Sequence, residues 1–426
     1  MTPLTNWAGN QTYHAVAVRH PGSLTELQEL VAAEPRIRAL GTRHSFSAIA
    51  DSPGVLVSLD ALRPEISVDP AGRTVSVCAG TRYGVLAAEL QAHGFALANL
   101  ASLPHVSVAG GTATGTHGSG DRNGVLATSI TAVELVTADG SLVTVDRSNP
   151  DLAAVAVGLG AFGVISRLTL AIEPSFLVRQ DVFVNAPWDP VLDRLDEVMA
   201  SAYSVSLMGS FAGPVITQLW QKSRLPVDDL EPVGGIVRQA EFGGTWYDDA
   251  HLPADTGLNP RAGIPGPWSE RLPHFRLDSA PSVGGNELQT EYFVGRAAGA
   301  DALRVLRSLG EQIAPHLHAA EIRTVAADHL WLSPAFERDS LCIGFTWRNH
   351  RADVDALLPV IEAALAPFEP RPHWGKLWAM SPAEQAGRFP RLGDFTNLVR
   401  RYDPTGNFHN PLLQGVFDLA GRPRTE

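Results

Sequence analysis

Residues 101–120 read ASLPHVSVAGGTATGTHGSG and form the most informative stretch of this chain. Glycine, threonine and serine dominate the stretch, and it contains no Asp, Glu, Lys or Arg. Side chains this small cannot build a packed core, but they let the backbone come very close to a large planar or anionic ligand, because glycine has no Cβ. We therefore expect residues 101–120 to form a ligand-binding loop of a larger domain.

A second turn of small residues reads GTRHSF at residues 41–46 and follows the apolar segment Ile37–Leu40. Backbone N–H groups in such turns form anion-binding concavities. Two turns of this kind, each after an apolar segment, indicate one extended cofactor that contains a diphosphate. Neither turn reads GxxxxGK[ST], and neither reads GxGxxG at the start of a helix, so the sequence predicts neither a P-loop nor a Rossmann site.

The overall composition is that of a globular protein long enough for two domains. The chain has 426 residues, of which 45% are apolar and 18% are charged, and a chain of this size and composition has room for two packed cores. The net charge of −12 argues against binding to nucleic acids or anionic membranes, because these partners require basic patches. The expected partners are therefore small molecules.

Two further features of the sequence concern location and redox state. The N-terminal sequence MTPLTNWAGN has neither the basic nor the apolar region of a secretory signal, and no run of about 18 apolar residues predicts a membrane span. We therefore expect a cytoplasmic protein without a membrane segment. The two cysteines, Cys78 and Cys342, lie in apolar stretches, so we expect buried free thiols rather than a disulfide.

The chain up to about residue 177 predicts an α+β domain with short strands, helices and glycine-rich loops. Residues 23–26 read SLTE, which is the capping box that starts a helix. Residues 83–93 read as a helix that ends at Gly94. The dipeptide DG at residues 139–140 lies between two strand-like runs, as in a β-hairpin.

Beyond residue 177 the pattern changes to longer strand-like runs, with helical runs near 298–314 and 352–366. This alternation predicts one broad antiparallel sheet with helices on one face. Residues 253–285 are rich in proline and glycine and show no clear periodicity. Because long segments of this kind within a compact protein are often functional, we expect residues 253–285 to cover the ligand site.

Several short motifs, taken in order, resemble the vanillyl-alcohol-oxidase-type flavoproteins and, within them, the bacterial alditol oxidases. They are NWAGN at 6–10, HSF at 44–46, the 101–120 stretch, EIRTVAAD at 321–328, WLSPA at 331–335, FTW at 345–347 and RPHWGK at 371–376. The resemblance implies an α+β fold with a two-part FAD-binding domain, residues 1–177, and a cap domain, residues 178–385, whose large antiparallel sheet lies over the flavin. It also implies that residues 386–426 return to the FAD-binding domain. We expect a monomer.

By this resemblance, His44 carries FAD covalently through its imidazole. Such a link would raise the reduction potential of the flavin and prevent its loss. The chain departs from the family at Arg43, where the related oxidases usually have glycine. If the backbone there has a positive φ, the Cβ of Arg43 carries a steric cost, whereas its guanidinium is suited to reach a phosphate.

The resemblance assigns further residues to the flavin site. Ala101 matches a position that controls the approach of oxygen to the flavin. His117 either packs structurally or contacts the flavin. The other cofactor-binding residues that the resemblance implies are Gly41, Thr42, Arg43, Ser45, Ser102, Ser107, Gly110, Gly111, Thr114, Gly115, Gly118, Gly163, Val164, Ile165 and His373.

Glu321 and Arg323 are two positions apart on a predicted strand, which places both side chains on one face. On a solvent-facing strand they would form a salt bridge worth less than about 1 kcal/mol. In a pocket, the carboxylate would accept hydrogen bonds from neighbouring hydroxyls of a polyol, and the guanidinium would donate to them. The resemblance favours the pocket and makes both residues catalytic.

Lys376 ends the motif RPHWGK, after aromatic and glycine residues. A lysine is usually solvated, but beside a flavin its cation would stabilise a developing alkoxide or an anionic reduced flavin. By resemblance, Lys376 is catalytic, and Ser102, Thr346 and Gly344 bind the substrate. Gly344 is the second departure, because alditol oxidases usually have histidine there, and its absence removes a polar contact and opens space.

The resulting expectation is an FAD-dependent oxidase of polyols or related diols. Hydride would pass from the carbinol carbon to flavin N5, and molecular oxygen would be reduced to hydrogen peroxide. The alternatives are an aldonolactone oxidase or dehydrogenase, a flavin-binding protein without turnover, and a carbohydrate-binding protein without flavin. No metal site is expected, because the pair His316-x-His318 has no accompanying carboxylate or cysteine cluster.

Overall fold

The computed structural model describes residues 4–225, 242–247, 257–280, 282 and 284–420 of the chain. Its strands are β1 (Ala17–Arg19), β2 (Ile37–Leu40), β3 (Val55–Ser58), β4 (Ile66–Asp69), β5 (Thr74–Cys78), β6 (Phe95–Ala96), β7 (Ile130–Val136), β8 (Leu142–Asp146), β9 (Val164–Ala171), β10 (Glu173–Pro174), β11 (Leu177–Pro187), β12 (Ser204–Gly209), β13 (Val215–Leu225), β14 (Thr245–Trp246), β15 (Gly266–Pro267), β16 (Glu287–Gly295), β17 (Leu317–Val325), β18 (Ser340–Arg348) and β19 (Arg371–Pro372). Its helices are α1 (Leu24–Ala33), α2 (Tyr83–Ala92), α3 (Val108–Ala113), α4 (Leu152–Val155), α5 (Trp188–Asp193), α6 (Leu195–Ala200), α7 (Trp268–Arg271), α8 (Gly299–Ser308), α9 (Gly310–Ile313), α10 (Arg351–Leu365), α11 (Pro382–Arg388), α12 (Leu392–Tyr402) and α13 (Pro411–Ala420).

The first helix, α1, begins where the sequence predicts. Ser23 is its N-cap, and the Ser23 hydroxyl accepts a hydrogen bond from the Glu26 N–H at 3.1 Å. The Glu26 carboxylate accepts from the Gly22 N–H at 2.7 Å. In a standard capping box it would accept from the N–H of the N-cap residue, Ser23. Leu27 and Val31 are buried, so α1 packs its apolar side against the core.

Most of the strands before residue 177 belong to two sheets. Within the described residues, β1, β3 and β2 form a parallel sheet, and β4, β5, β9, β7 and β8 form an antiparallel sheet. The predicted hairpin is confirmed, because β7 pairs with β8 and Gly140 in the connecting turn has a φ of +80°. Glycine adopts this conformation without strain. Apolar residues from α1, α2 and both sheets share one core, which is here called the first core.

The stretch at 101–120 is not a loop throughout. Its central residues form α3, a helix of six residues. Val108 and Thr112 are buried, and the Thr112 hydroxyl donates to the Val108 carbonyl at 3.0 Å. The prediction of an uninterrupted loop was therefore wrong, because Val108 anchors one helical turn in the core and the small residues around it allow that turn to pack closely.

A nine-stranded sheet, here called the cap sheet, dominates the described chain after residue 177. Its strands lie in the order β14, β11, β13, β12, β17, β18, β16 and β19, with β15 beside β11, and neighbouring strands are antiparallel. The predicted large antiparallel sheet is confirmed. Ile322, Ile343 and Phe345 share a core with residues of α5, α6, α8 and α10 on one face. The alternate residues of the same strands face a cavity on the other side.

Helices α12 and α13 pack into the first core. The Phe395 ring of α12 meets the Phe162 ring edge-on, with centroids 4.9 Å apart. The Phe417 ring of α13 lies 5.7 Å from that of Phe395. The C-terminal helices thus cover residues of the N-terminal part, while the division of the chain at residues 177 and 385 stays a prediction.

Two sequence-based expectations concern the chain as a whole. Cys78 and Cys342 are buried free thiols, as expected. No helix in the described ranges is both long enough and apolar enough to cross a bilayer.

Candidate active site

A large cavity lies between the cap sheet and the loops of the N-terminal part. Its volume is about 1360 Å³, which exceeds the roughly 300–1,000 Å³ of most small-ligand pockets. The GTRHSF turn, the 101–120 stretch and strands β16, β17 and β18 all contribute to its lining. The cavity has room for one large ligand together with a second, small molecule.

The GTRHSF turn is held in place by backbone hydrogen bonds. The Trp7 N–H donates to the Arg43 carbonyl at 2.8 Å, and the Phe46 N–H donates to the Gly375 carbonyl at 2.7 Å. Arg43 has a φ of +63°, so the backbone here does adopt the left-handed conformation that disfavours a Cβ. The Arg43 side chain is exposed and donates to the Thr5 carbonyl at 3.1 Å, while its contact with a phosphate stays a prediction.

His44 lines the cavity from this turn. Its Nδ1 lies 3.0 Å from the Thr42 hydroxyl, and its ring stacks on the Trp7 indole. Its Nε2 is buried and has no hydrogen-bond partner among the described residues. Burial, together with the nearby His105 and Arg82, lowers the pKa of His44 to about 4. The imidazole is therefore neutral near pH 7.

Glycines let two segments meet closely at this end of the cavity. A Cβ on Gly41 would come within 2.9 Å of the Ser107 hydroxyl, and a Cβ on Gly110 within 2.8 Å of the same atom. The Ser107 N–H donates to the Thr42 hydroxyl at 3.3 Å. Larger residues at either glycine would push the two segments apart, so the local shape of the cavity depends on both glycines.

Most residues that the family resemblance assigns to the cofactor line this cavity. Three do not: Val164 lies in the first core, Gly118 lines a small neighbouring cavity, and a Cβ on Gly115 would meet the Pro334 ring. The residues that do line the cavity are Gly41, Thr42, Arg43, His44, Ser45, Ala101, Ser102, Ser107, Gly110, Gly111, Thr114, His117, Gly163, Ile165 and His373.

Glu321 and Arg323 of β17 both face the cavity, but they are not a simple pair. Arg323 Nε lies 3.6 Å from a Glu321 oxygen, whereas Arg323 Nη2 donates to Glu291 at 2.7 Å. The Ser206 hydroxyl donates to Glu321 at 3.1 Å. Arg323 is 6% exposed, which excludes a solvent-facing salt bridge. The Glu321 side chain keeps 20% of its surface accessible, so its carboxylate is the one that a small molecule can reach.

Glu291 of β16 is the residue that sequence reasoning missed. Its side chain is 1% exposed, and its carboxylate oxygens lie 2.7 Å from Arg323 Nη2 and 2.8 Å from Lys376 Nζ. Burial acts to raise the pKa of this carboxyl, but Lys376, His117 and Arg323 together lower it well below its usual value. Residues 287–292 read ELQTEY, and this alternation, which places Glu, Gln and Glu on one face of a strand, is the local signal that the sequence analysis did not use.

Lys376 is positioned by a turn that β16 holds on both sides. The His373 N–H donates to the Glu291 carbonyl at 3.0 Å, and the Leu377 N–H donates to the Gln289 carbonyl at 2.9 Å. Burial lowers the pKa of His373 to about 3, so its ring is neutral. Lys376 thus faces the cavity beside an uncharged imidazole.

His117 belongs to the same buried cluster. Its Nε2 lies 3.3 Å from a Glu291 oxygen and 3.3 Å from Cys342 Sγ. The ligating atoms of His117, Glu291 and Cys342 all lie within 4.8 Å of one another. A divalent cation at this point would lie beside Arg323 and Lys376, so charge repulsion opposes it. The arrangement is that of a hydrogen-bonded network around Glu291.

Gly344 and Thr346 of β18 both face the cavity. Gly344 pairs with Glu291 on one neighbouring strand and with Glu321 on the other. A Cβ at Gly344 would lie 3.1 Å from a Glu291 carboxylate oxygen and 3.3 Å from the Glu321 carbonyl oxygen. The space that glycine leaves is therefore bordered by acidic residues rather than by apolar side chains.

Part of the proline- and glycine-rich segment covers the cavity, as expected. Leu258, His274 and Phe275 line it, and the His274 N–H donates to the Ser102 carbonyl at 3.0 Å. The Ser102 hydroxyl accepts from Arg323 Nη1 at 3.3 Å. Positions 253–256, 281 and 283 of this segment lie outside the described residues.

A buried lysine lies behind Glu321 and Arg323, in a small polar cavity that His274 also lines. Lys222 of β13 is 2% exposed, and its Nζ donates to the Leu272 carbonyl at 2.5 Å. Burial lowers the pKa of Lys222 to about 7, against the opposite effect of Glu321. The sequence contains two lysines, Lys222 and Lys376, so both lie at this site.

His316 and His318, which are close in sequence, have separate surroundings. His318 lines the cavity. His316 Nδ1 lies 3.3 Å from His350 Nδ1 and 3.8 Å from an Asp353 oxygen, outside the cavity lining. The contact between the two rings is that of one hydrogen bond between imidazoles.

Comparison with known proteins relates the chain to FAD-dependent oxidoreductases. Residues 15–146 match the family described as FAD binding domain, and residues 286–416 match the family described as D-arabinono-1,4-lactone oxidase. The chain is 45% identical over 425 residues to the alditol oxidase of a Streptomyces species, across 98% of this chain and 99% of that protein. It is 29% identical over 435 residues to the L-gulono-1,4-lactone dehydrogenase of Mycobacterium tuberculosis, across 98% of this chain and 99% of that protein. Its fold resembles that of a solvent-stable cholesterol oxidase, with a TM-score of 0.75, 16% identity and coverage of 97% of both chains.

Proposed function

The chain belongs to the alditol oxidase family of vanillyl-alcohol-oxidase-type flavoproteins, and we propose how its residues divide the work of FAD-dependent polyol oxidation. The observation that carries the proposal is the convergence of two cations, Arg323 and Lys376, on the face of the cap sheet that closes a cavity bordered by His44. The cofactor would lie against the loops of the N-terminal part, and the substrate would lie between it and the cap sheet.

The described residues fit FAD. The cavity is larger than most small-ligand pockets. Gly41 and Gly110 line it, and backbone N–H groups of such turns would bind a diphosphate. His44 Nε2 is a buried nitrogen without a partner, and the ring is neutral near pH 7 because of its lowered pKa. A neutral imidazole is the form that can bond to carbon, which supports covalent attachment through His44.

Bound FAD would accept a hydride from the carbinol carbon at flavin N5, and molecular oxygen would then be reduced to hydrogen peroxide. Arg323 and Lys376 would stabilise the negative charge that develops on the substrate oxygen as its proton passes to a base or to water. Their charged groups are fixed in place by Glu291 before the substrate binds. Preorganised charge of this kind acts without the cost of reorientation.

The polyol chain itself would be oriented by neighbouring polar groups of the cap sheet. Glu321 would accept a hydrogen bond from the hydroxyl next to the reacting carbon, because its carboxylate is the accessible one. Thr346 and Ser102 would contact further hydroxyls. Fixing two or more hydroxyls places the carbinol hydrogen toward the cofactor, which is an orientation effect.

Access of oxygen and the state of the protein complete the proposal. Ala101 lines the cavity, and its methyl group leaves room for oxygen to approach. We propose a monomer that acts in the cytoplasm, which agrees with the acidic composition.

The test of this function is a substrate panel with peroxide detection. Purified protein is mixed with xylitol, sorbitol, glycerol and simple 1,2-diols, and peroxide is measured with a coupled peroxidase. We expect peroxide with at least one alditol and bleaching of the flavin by the same compound without oxygen. Flavin that no alcohol reduces would mean that the protein binds the cofactor without turnover.

An aldonolactone oxidase or dehydrogenase is the second candidate. The observation that favours it is the match of residues 286–416, which include Glu291, Glu321, Arg323 and Lys376, to the family described as D-arabinono-1,4-lactone oxidase. Adding L-gulono-1,4-lactone to the panel separates the two functions. A kcat/KM for the lactone above that of every alditol would favour the second candidate.

A further inference from the structure

Glu291 connects the two cations that the proposed function assigns to the substrate oxygen. Its Oε1 accepts from Arg323 Nη2 at 2.7 Å, and its Oε2 lies 2.8 Å from Lys376 Nζ. The two cations come from different elements, β17 and the turn after β19. One carboxylate therefore sets the distance between two charges that the chain brings together from separate places.

The backbone of β16 acts on the same turn. The Glu291 carbonyl accepts from the His373 N–H at 3.0 Å, and the Gln289 carbonyl accepts from the Leu377 N–H at 2.9 Å. These two hydrogen bonds lie on either side of Lys376. Main chain and side chain of β16 thus position the ammonium group jointly.

Glu291 hardly exposes its own carboxylate. Its side chain is 1% exposed, against 18% for Lys376 and 20% for Glu321. A buried carboxylate is tolerated when cations and hydrogen bonds satisfy it, and here each oxygen has one cation. Glu321, which also accepts from the Ser206 hydroxyl, is the more accessible of the two carboxylates and borders the cavity where a ligand can reach it.

We propose that Glu291 is a positioning residue for alcohol oxidation, because it holds Arg323 and Lys376 side by side and offsets one of their two charges. This inference rests on the proposed function of those two cations. The alternative is that Glu291 only packs against its neighbours. A packing role depends on the shape of the glutamate side chain, whereas positioning of the two cations depends on its charge.

Two substitutions separate charge from shape. Glu291→Gln keeps the shape and removes the charge, so one cation faces an amide N–H and moves away. We expect kcat to fall by about 10²-fold or more, with a smaller change in KM, because misplacement by about 1 Å has that effect. Glu291→Asp keeps the charge on a side chain shorter by one methylene, and it should retain more activity than Glu291→Gln. If Glu291 acted only through packing, Glu291→Gln would retain more activity than Glu291→Asp.

A second measurement needs no turnover. Glu291→Gln leaves one positive charge unbalanced, so a small anion should bind there. Titration calorimetry of the flavin-loaded protein with nitrate should detect a site in Glu291→Gln and none in the wild type. The double variant with Lys376→Met should lose the site again. If the wild type oxidises no alcohol, the proposed function fails, while the nitrate titration still decides the role of the Glu291 charge.

The matched control is Glu362→Gln. Glu362 is a buried carboxylate that accepts from the Tyr292 hydroxyl at 2.7 Å and from the Ala379 N–H at 2.7 Å, and it does not line the cavity. Its neutralisation should change kcat by less than about threefold.

Turnover by Glu291→Gln within about threefold of the wild type overturns the proposal, and so does the absence of a nitrate site in that variant. Should Glu291→Gln not fold, Glu291→Met takes its place as the neutral variant of similar length. A kcat for Glu291→Met above that of Glu291→Asp overturns the proposal, and the opposite order supports it.

Discussion

The His44 imidazole stacks on the Trp7 indole, with ring centroids 5.5 Å apart and planes inclined by 26°. The Trp7 N–H also donates to the carbonyl of Arg43, the residue before His44. One tryptophan thus orients both the ring and the backbone of the histidine. The NWAGN and GTRHSF motifs, which are far apart in sequence, act together to hold His44 in the lining of the cavity.

His44→Ala should convert a covalent flavin into a dissociable one. The wild-type protein should be yellow, and acid precipitation should leave the colour in the pellet, because a bond to the imidazole survives denaturation. In the variant the flavin should appear in the supernatant or be missing from the purified protein. Wild-type protein that releases all of its flavin into acid would show that no such bond exists.

Arg323→Ala should abolish turnover while the flavin stays bound. The substitution removes one of the two cations of Glu291, and leaving a buried charge poorly paired costs roughly 2–5 kcal/mol. Anaerobic reduction of the flavin by an alditol is the measurement, and the flavin absorbance reports retention of the cofactor. Arg323→Lys serves as the control for charge, since it keeps a cation but loses the two-pronged contact with Ser102 and Glu291. Near-normal kinetics in Arg323→Ala would show that Arg323 takes no part in the reaction.

The sequence predicted the elements around the site because their signals are local. Glycine and threonine in the 101–120 stretch, the turn before His44 and the alternation of Glu321 and Arg323 can each be read within a few residues. The cap sheet could be predicted for the same reason, since its strands are long and regular. The short helix within 101–120 was missed, because the burial of Val108 and Thr112 in the core favours it and the local sequence does not.

The centre of the site could not be predicted, because it depends on contacts between distant residues. Glu291 matters through its contacts with Arg323 and Lys376, which lie on other elements. Lys222 reads in sequence as an ordinary strand residue, and only the fold shows that its amine is buried. The sequence predicted an open space at Gly344 but not the residues that border it. In the structure these are Glu291 and Glu321 on the two neighbouring strands.

Lys376→Met should slow the reduction of the flavin by substrate more than it weakens substrate binding. Loss of a preorganised charge stabiliser typically costs on the order of 10²–10³ in rate, and methionine keeps most of the length of the side chain. Stopped-flow absorbance under anaerobic conditions measures the reduction rate at several alditol concentrations. An unchanged limiting rate would mean that Lys376 does not act on the reacting oxygen.

Gly344→His should favour alditols over simple 1,2-diols while lowering kcat for both. The new Cβ would lie 3.1 Å from a Glu291 oxygen, so the carboxylate between Arg323 and Lys376 must shift. The imidazole adds a hydrogen-bonding group that should strengthen binding of the longer polyols by about 0.5–1.5 kcal/mol. Peroxide assays with xylitol, sorbitol and 1,2-propanediol give the ratio of KM values.

Gly344→Ala is the control for this substitution, because it adds the Cβ without the imidazole. It should show the loss of kcat without the change in the ratio of KM values. A wild type that already prefers xylitol strongly, together with a histidine variant that loses this preference, would contradict the assignment of Gly344 to the substrate.

Lys222→Met should stabilise the protein most at low pH. Burial lowers the pKa of Lys222 in the folded chain from its ordinary 10.5 to about 7. Between these values the unfolded chain holds a proton that the folded chain lacks, so the wild-type free energy of unfolding rises with pH over this range. Methionine has no charge to bury, so the midpoint of urea unfolding should exceed that of the wild type at pH 6, and the difference should shrink toward pH 10. Because the chain has only two lysines, NMR of protein labelled with ¹⁵N-lysine follows the Lys222 amine directly, and titration of that amine near pH 10 would contradict the prediction.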